Sequence, residues 1–142
     1  MQMLENKIIQ RVEWGDCDAA DIVFYPQYFR WFDRATAALF ESVGLPVRKL
    51  SETYGVLGIP LVDASASFRS PSTYGDDLEI TTHIQEWRSK TFVLSHRMMN
   101  GDRLAVEGTE IRVWAEKHPT EPGRIRAKRI PDELKALIPA KT

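Results

Sequence analysis

The feature that most constrains the fold of this sequence is one long helical pattern in a chain whose other apolar patterns alternate. Between Pro26 and Val43, apolar residues recur at steps of three and four, and charged residues fall on the opposite side. Pro26 suits the first helical position, and Gly44 suits the position where a helix stops. The pattern predicts one amphipathic helix over 26–43 with an apolar face that other elements must cover.

The segments around this helix predict an antiparallel sheet. Alternating residues predict strands at Lys7–Trp14, Pro60–Arg69, Leu78–Trp87, Thr91–Met99 and Leu104–Ala115. Asn100-Gly101-Asp102, between the last two strands, is a strong signal for a hairpin turn. A loop over 15–21, a connector over 45–54 and a short helix over 131–138 complete the chain. The order predicts an α+β fold in which the sheet wraps one helix.

Size and charge limit the classes of function that this chain can have. The chain has 142 residues, which fits a single domain over 1–142. Its net charge of −1 gives no overall attraction to nucleic acid or an anionic membrane, and no apolar run is long enough to span one. The single cysteine, Cys17, predicts a reducing, cytoplasmic location. Because none of the 3 histidines has metal-ligand spacing, we predict no metal site.

Asp16 and Asp18 are the first candidates for chemistry. In an extended segment both carboxylates would point to the same side, and the like charge would raise one pKa, which suits acid–base catalysis. A calcium loop starting at Asp16 would need glycine and glutamate where this sequence has Asp21 and Gln27. The pair therefore indicates either a catalytic carboxylate or two ordinary loop residues.

The start of the helix is the second candidate. Tyr25 precedes Pro26 and has no short side-chain oxygen to cap the first turn, so backbone N–H groups there can lack a partner. Free N–H groups at the positive end of a helix suit a carbonyl oxygen that gains negative charge during a reaction. With Asp18 upstream, acyl transfer is one interpretation, and N–H groups capped by water are the other.

Two basic clusters could bind phosphate groups. Arg88 and Lys90 flank Ser89 at a predicted turn, and further Arg and Lys residues lie within 124–129. Arg and Lys bind phosphates well, but clusters of this size also occur as plain solvated charge. Few aromatic residues interleave with these clusters, which disfavours a nucleic-acid groove.

Several of these residues together resemble one known family. The run from Trp14 to Asp33, WGDCDAADIVFYPQYFRWFD, is similar to the segment that leads into the central helix of the 4-hydroxybenzoyl-CoA thioesterase family of hotdog-fold proteins. The similarity continues through Gly55–Leu61, Tyr74–Asp77 and Glu86–Phe92 and covers nearly the whole chain. It implies a single hotdog domain, with an antiparallel sheet curled around the helix, that pairs as a homodimer or homotetramer.

The resemblance implies an acyl-CoA thioesterase that hydrolyses an aromatic acyl-CoA, 4-hydroxybenzoyl-CoA or a close analogue, to the free acid and coenzyme A. Asp18 would be the catalytic carboxylate, acting either as the nucleophile or as the general base. The backbone N–H of Tyr25 would polarise the thioester carbonyl. The resemblance implies no cofactor, since coenzyme A is part of the substrate.

A substrate site at a subunit interface is also implied by the resemblance. Asp33, on the central helix, would meet the substituent of the acyl ring. The remaining implied residues are Ile59, Pro60 and Leu61, which would line the pocket, and Arg88 and Lys90, which would bind the phosphates of coenzyme A.

One departure from the family pattern keeps other interpretations open. Asp21 stands where the pattern has glycine, and a position with positive φ would accept Asp only at some cost. The alternatives are a thioesterase for short or medium aliphatic acyl-CoA and a non-catalytic acyl-CoA-binding module. Asp33, expected beside Phe29 and Phe40, favours a polar aromatic acyl group over an aliphatic one.

Overall fold

The central element of the structure, a computed structural model that describes residues 2–141, is helix α1 (Pro26–Glu41). It begins at Pro26, as predicted. It ends before Val43, because Gly44 takes a left-handed conformation (φ 78°) and the Leu45 N–H donates to the carbonyl of Phe40 at 3.0 Å. The buried residues of α1 form one stripe: Tyr28, Trp31, Phe32, Ala35, Thr36, Leu39 and Phe40.

One five-stranded antiparallel sheet packs against α1, in the order β1-β3-β4-β5-β2. The bounds are β1 (Glu5–Arg11), β2 (Leu61–Phe68), β3 (Asp77–Trp87), β4 (Thr91–Asn100) and β5 (Arg103–Val113). The predicted first strand runs to Trp14, but β1 stops at Arg11 because residues 14–16 form a 3-10 turn. The predicted α+β layout is otherwise present.

Four short elements complete the chain, with bounds α2 (Leu50–Tyr54), β6 (Ala115–Lys117), β7 (Ile125–Ala127) and α3 (Asp132–Leu137). β6 and β7 pair as a separate hairpin. The predicted strand ending at Ala115 is interrupted at Trp114, whose N–H donates to the carbonyl of Lys90 at 2.8 Å. The predicted terminal helix is shorter than 131–138, and the predicted domain range 1–142 includes two end residues outside the described ones.

The hairpin between β4 and β5 has a two-residue turn, Gly101-Asp102, with Asn100 and Arg103 as its last pair. Gly101 has φ 62°, a conformation that glycine adopts without strain. Asn100 is therefore a strand residue, and its amide donates to the carboxylate of Asp76 at 2.9 Å. The predicted hairpin is present, with the turn one residue later than an Asn-Gly turn would place it.

Helix and sheet are in close contact at Gly108 on β5. A Cβ at this position would lie 2.5 Å from the carbonyl oxygen of Ser65 and 2.6 Å from the ring of Phe32. The Phe32 ring stacks on the imidazole of His96, with centroids 4.6 Å apart. This close packing holds the middle of α1, and with it the neighbouring Asp33, directly over β4 and β5.

β2 is an edge strand that is exposed along nearly its whole length. Leu61 at its start and Phe68 at its end are each about half exposed. Phe68 contacts the rings of Tyr28 and Phe29 on α1, with centroids 5.5 and 6.5 Å away. An open apolar edge therefore runs alongside the helix. None of the helices in residues 2–141 is long and apolar enough to cross a membrane.

Candidate active site

Asp18 lies in a tight loop between β1 and α1. Cys17 and Val23 form an antiparallel bridge across this loop, and the Asp18 N–H donates to the carbonyl of Ile22 at 2.9 Å. Asp21 closes the turn with φ 68°, the left-handed conformation that favours glycine. These contacts fold the segment that carries Asp18 back beside the segment that leads into α1.

The Asp18 side chain is exposed and has one hydrogen bond within the described chain: its Oδ1 accepts from the Ala20 N–H at 2.8 Å. Its Oδ2 is thus open to a ligand or water. Asp16 lies instead in the 3-10 turn, where its carboxylate accepts from the Glu13 N–H at 2.8 Å. The extended geometry that would align the two carboxylates is absent, so that part of the prediction is wrong.

The start of α1 leaves one backbone donor without a partner. Phe24 N–H donates to the carbonyl of Asp16 at 2.8 Å, Pro26 has no N–H, and the N–H groups of Gln27 and Tyr28 donate to carbonyls of the turn before the helix. The Tyr25 N–H has no acceptor among residues 2–141, and the Tyr25 side chain makes no capping bond. This free donor lies at the positive end of α1, as the sequence predicted.

Cys17 does not offer a nucleophile. It is half-buried, and burial raises the pKa of its thiol, with the carboxylates of the loop adding to that rise. Within residues 2–141, no group of three His, Cys, Asp or Glu could hold a metal ion.

Asp33 lies on the same side of α1 as Tyr25, two helical turns away and about 12 Å along the axis. Phe29 stands between them and packs against Phe68 of β2. The Asp33 side chain is 69% exposed, and its Oδ1 accepts from Nη2 of Arg112 at 2.8 Å. The free N–H and the anchored carboxylate lie at two separate depressions: one is lined by Tyr25 and Phe68, and the other is lined by Asp33 and Arg112.

A depression of about 360 Å³ adjoins Asp33. Its lining includes Ile59, one of the three residues that the resemblance assigned to the substrate pocket, together with Thr36, Ala37 and Arg112. The other two predicted lining residues, Pro60 and Leu61, do not line it within this chain: Pro60 is half-buried and Leu61 lies exposed on the edge strand.

Phe40 is not beside Asp33, as the sequence analysis expected. It is fully buried and packs against Phe92 of β4, with ring centroids 6.0 Å apart. Position 40 is seven residues from Asp33, which is about two turns or roughly 10 Å further along α1, so the two side chains are separated along the helix axis. Of the two phenylalanines, only Phe29 lies one turn from Asp33.

A buried polar network binds Asp33 through Arg112, and the sequence analysis did not predict it. Glu110 accepts from Nη2 of Arg112 at 2.7 Å and from Nε2 of His96 at 2.9 Å, and the hydroxyl of Thr36 also donates to it. Because ionised Glu110 can only accept, Nε2 of His96 donates to it, and Nδ1 lies 2.8 Å from the hydroxyl of Thr82.

The charge on Glu110 is set by these partners. Burial opposes ionisation, but the hydrogen bonds and charges of His96 and Arg112 outweigh burial and lower the pKa of Glu110 to about 2. Glu110 and Arg112 alternate on β5 and share the side that faces the helix. Two charged residues at the inward positions of a strand are the one sequence signal that could have indicated this network.

Arg88 and Lys90 lie in the exposed turn between β3 and β4. Arg88 pairs with Glu86 through its Nε, and Lys90 makes no ion pair among the described residues. The Asp18 loop lies beside the other end of β3, where Val12 bonds to Asp76, roughly 30 Å along the strand. One chain therefore does not bring these basic residues to Asp18.

A family model for the thioesterase-like superfamily matches residues 12–138. This chain belongs to that superfamily. It is 41% identical over 128 residues to the 4-hydroxybenzoyl-CoA thioesterase of Pseudomonas sp. (strain CBS-3), with 86% of this chain and 89% of the relative covered.

Solved structures agree with this relationship. The fold matches the crystal structure of a 4-hydroxybenzoyl-CoA thioesterase Asp→Asn mutant in complex with 4-hydroxybenzoyl-CoA, with TM-score 0.87, 37% identity, and 94% and 98% of the two chains covered. It also matches a gentisyl-coenzyme A thioesterase, with TM-score 0.79, 32% identity and the same coverage. The predicted hotdog fold, the family and the enzyme class, an acyl-CoA thioesterase, are confirmed.

Proposed function

We propose that this protein hydrolyses an aromatic acyl-CoA thioester, 4-hydroxybenzoyl-CoA or a close analogue, to the free acid and coenzyme A. The observation that carries the proposal is a pair of groups along α1: the free Tyr25 N–H at the start of the helix and the Arg112-bound Asp33 carboxylate further along it. One donor and one acceptor of this kind suit an acyl group that has a reacting carbonyl at one end and a polar substituent at the other.

The Asp18 carboxylate supplies the chemistry in this proposal. As general base, it would take a proton from a water molecule while the oxygen attacks the thioester carbon; as nucleophile, it would attack that carbon itself and form an anhydride that water then cleaves. In both routes the C–S bond breaks and the sulfur leaves as the thiolate of coenzyme A. The relative's substrate complex is that of an Asp→Asn mutant, which supports a role for an aspartate in turnover.

The Tyr25 N–H would stabilise the negative charge that develops on the carbonyl oxygen. It is free of protein acceptors and lies at the positive end of α1, so it needs no rearrangement to accept a new partner. Pro26 has no N–H, so the first turn contains one fewer backbone donor to compete with Tyr25 for the carbonyl oxygen.

Asp33 would accept a hydrogen bond from a hydroxyl on the acyl ring. The Asp33 side chain is 69% exposed in the free chain, and an acyl ring without a hydroxyl would cover it without supplying a donor, so the site would favour hydroxylated rings over plain ones. This preference separates the proposed substrate from short or medium aliphatic acyl-CoA.

We propose further that the working unit is a homodimer, or a homotetramer built from such dimers. β2 leaves an edge of unpaired backbone groups and exposes Leu61, Val62 and Phe68, which a second copy of the chain could cover. A second subunit would also bring Arg88 and Lys90, which lie far from Asp18 in one chain, within reach of the coenzyme A phosphates. No metal or other cofactor enters the proposal, and the cytoplasmic location stays a prediction from the cysteine count.

The test is release of free thiol from 4-hydroxybenzoyl-, benzoyl-, phenylacetyl- and hexanoyl-CoA, measured side by side. We expect the highest kcat/KM on the hydroxylated ring. A preference for hexanoyl-CoA would assign the protein to aliphatic substrates instead. If no ester is cleaved although coenzyme A raises the melting temperature, the protein is a binding module. Size-exclusion chromatography with light scattering of the same preparation tests the oligomer.

A further inference from the structure

The Arg112 guanidinium is the most constrained charged group beside the candidate substrate pocket. The residue is 5% exposed, yet its side chain makes hydrogen bonds to three different residues. Nη1 donates to the carbonyl of Ile59 at 3.0 Å, and Nη2 donates to both Glu110 at 2.7 Å and Asp33 at 2.8 Å. Arg112 therefore connects the buried network to Asp33, a carboxylate that lines the pocket.

The other end of this connection is fixed in the core. Glu110 is 1% exposed and is held by His96 and Thr36 as well as by Arg112. His96 is itself held between Thr82 and the ring of Phe32. Because every residue of this network is buried and hydrogen-bonded, the Arg112 guanidinium is held in one position. A planar guanidinium held in this way loses little further conformational freedom when it binds a carboxylate.

Asp33, in contrast, is 69% exposed and would sample several rotamers if it stood alone on the helix. The bond from Arg112 occupies its Oδ1 and leaves Oδ2 without a partner among the described residues. Asp33 and Arg112 both line the depression of about 360 Å³. A carboxylate accepts hydrogen bonds and repels negative charge, so Asp33 suits a ring hydroxyl and disfavours an anionic ring substituent.

We propose that Arg112, held by Glu110, is a positioning residue that fixes the Asp33 carboxylate and so sets the preference of the enzyme for hydroxylated aromatic acyl groups. This inference rests on the proposed function of Asp33. Arg112 itself touches no reacting atom, so its removal should change discrimination between substrates more than turnover of a substrate that lacks the hydroxyl.

The test compares kcat/KM for 4-hydroxybenzoyl-CoA and benzoyl-CoA in variants. Asp33→Asn should lower the ratio of the two values roughly ten- to hundred-fold, because a hydrogen bond to a charged group is lost. Arg112→Lys keeps the charge but loses the fork, and it should lower the ratio about ten-fold. In the Asp33→Asn background, Arg112→Lys should then add little.

Arg69→Lys is the matched control, since Arg69 pairs with half-buried Glu107 at the same 2.8 Å and does not line the depression beside Asp33. It should leave the ratio unchanged. If Arg112→Lys does not fold, the double variant Glu110→Gln/Arg112→Gln removes both buried charges together and carries the same expectation.

The outcomes separate the two proposals. A ratio that falls in Asp33→Asn but stays at the wild-type value in the Arg112 variants overturns the positioning role and leaves the proposed function intact. A ratio that Asp33→Asn does not change overturns the role of Asp33 and the inference built on it. Additive losses in the double variant Asp33→Asn/Arg112→Lys would also overturn it, because the two residues would then act independently.

Discussion

The two ends of the candidate site, the loop that carries Asp18 and the part of α1 that carries Asp33, are built in opposite ways. At one end, Asp18 lies exposed in a loop, and one backbone N–H holds its carboxylate. At the other end, the Asp33 carboxylate is tied through Arg112 to Glu110, which is buried in the core. One carboxylate depends on local backbone geometry, and the other depends on side chains from β5 and β4.

This difference suits the different tasks we propose for the two ends. A carboxylate that attacks or deprotonates water must keep an open oxygen and access to solvent, which a loop provides. A carboxylate that recognises a substituent must stay in one place, and buried partners hold it there. The chemical end, which is the loop with Asp18, should therefore tolerate mutation without loss of stability. The recognition end, which is Asp33 with its buried partners, should not.

Asp18→Asn is the variant with the largest expected effect on activity. We expect kcat on the best substrate to fall about a thousand-fold or more, because an amide neither attacks the thioester nor takes a proton from water. The free energy of unfolding should change by less than about 1 kcal/mol, since the side chain is exposed and asparagine can still accept from Ala20.

Thiol release and urea unfolding measure these two effects on the same preparation. Asp16→Asn is the matched control, because that residue lies in the same loop and its carboxylate binds Glu13 instead. It should retain most of the activity. Near-wild-type turnover in Asp18→Asn would remove Asp18 from the chemistry and end the contrast between the two carboxylates.

Glu110→Ala should have the largest effect on stability. The substitution leaves Arg112 and His96 buried without their shared carboxylate, and breaking a buried pair in this way costs about 3–5 kcal/mol. Glu107→Ala removes a carboxylate from the same strand, but its ion pair with Arg69 is half-exposed, so we expect a loss of about 1 kcal/mol or less. Equal urea midpoints for the two variants would show that the network does not anchor the recognition end.

The charge of Glu110 also predicts how stability depends on pH. Its pKa is lowered from 4.5 to about 2 in the folded chain, so its contribution is present above about pH 4.5 and is lost as the pH falls towards 2. The shift corresponds to about 3 kcal/mol. Urea unfolding of the wild type and Glu110→Gln at a series of pH values tests this: the wild type should lose more stability across that range. Parallel curves would contradict the assigned charge.

The sequence predicted the elements better than it predicted the site. Helix α1 and the strands follow from the spacing of apolar residues, and the free donor at Tyr25 follows from the lack of a capping side chain before Pro26. These are local properties of the chain. The resemblance located Asp18 and Asp33, although the extended geometry expected for Asp16 and Asp18 was wrong because a 3-10 turn forms there.

The buried network was not predictable in the same way. Thr36 and Glu110 are 74 residues apart, and their contact depends on how α1 packs over β5 at Gly108. In the alternating pattern of β5, inward charges are indistinguishable from outward ones until the register with its neighbours is known. The predicted phosphate contacts of Arg88 and Lys90 depend on a second subunit, so they stay a prediction.

Asp21→Gly is the change with the smallest expected effect, and it tests whether the carboxylate of Asp21 acts in turnover. Asp21 holds φ 68°, a conformation that costs most side chains about 1–2 kcal/mol and aspartate somewhat less. Glycine removes that strain but adds entropy to the unfolded chain, so we expect a gain in stability of about 0.5 kcal/mol. Because the backbone of residue 21 keeps its bonds to Asp18 and Thr73, kcat should stay within about two-fold. A large loss of activity would mean that the Asp21 carboxylate itself acts in turnover, and the chemical end would then contain two working carboxylates.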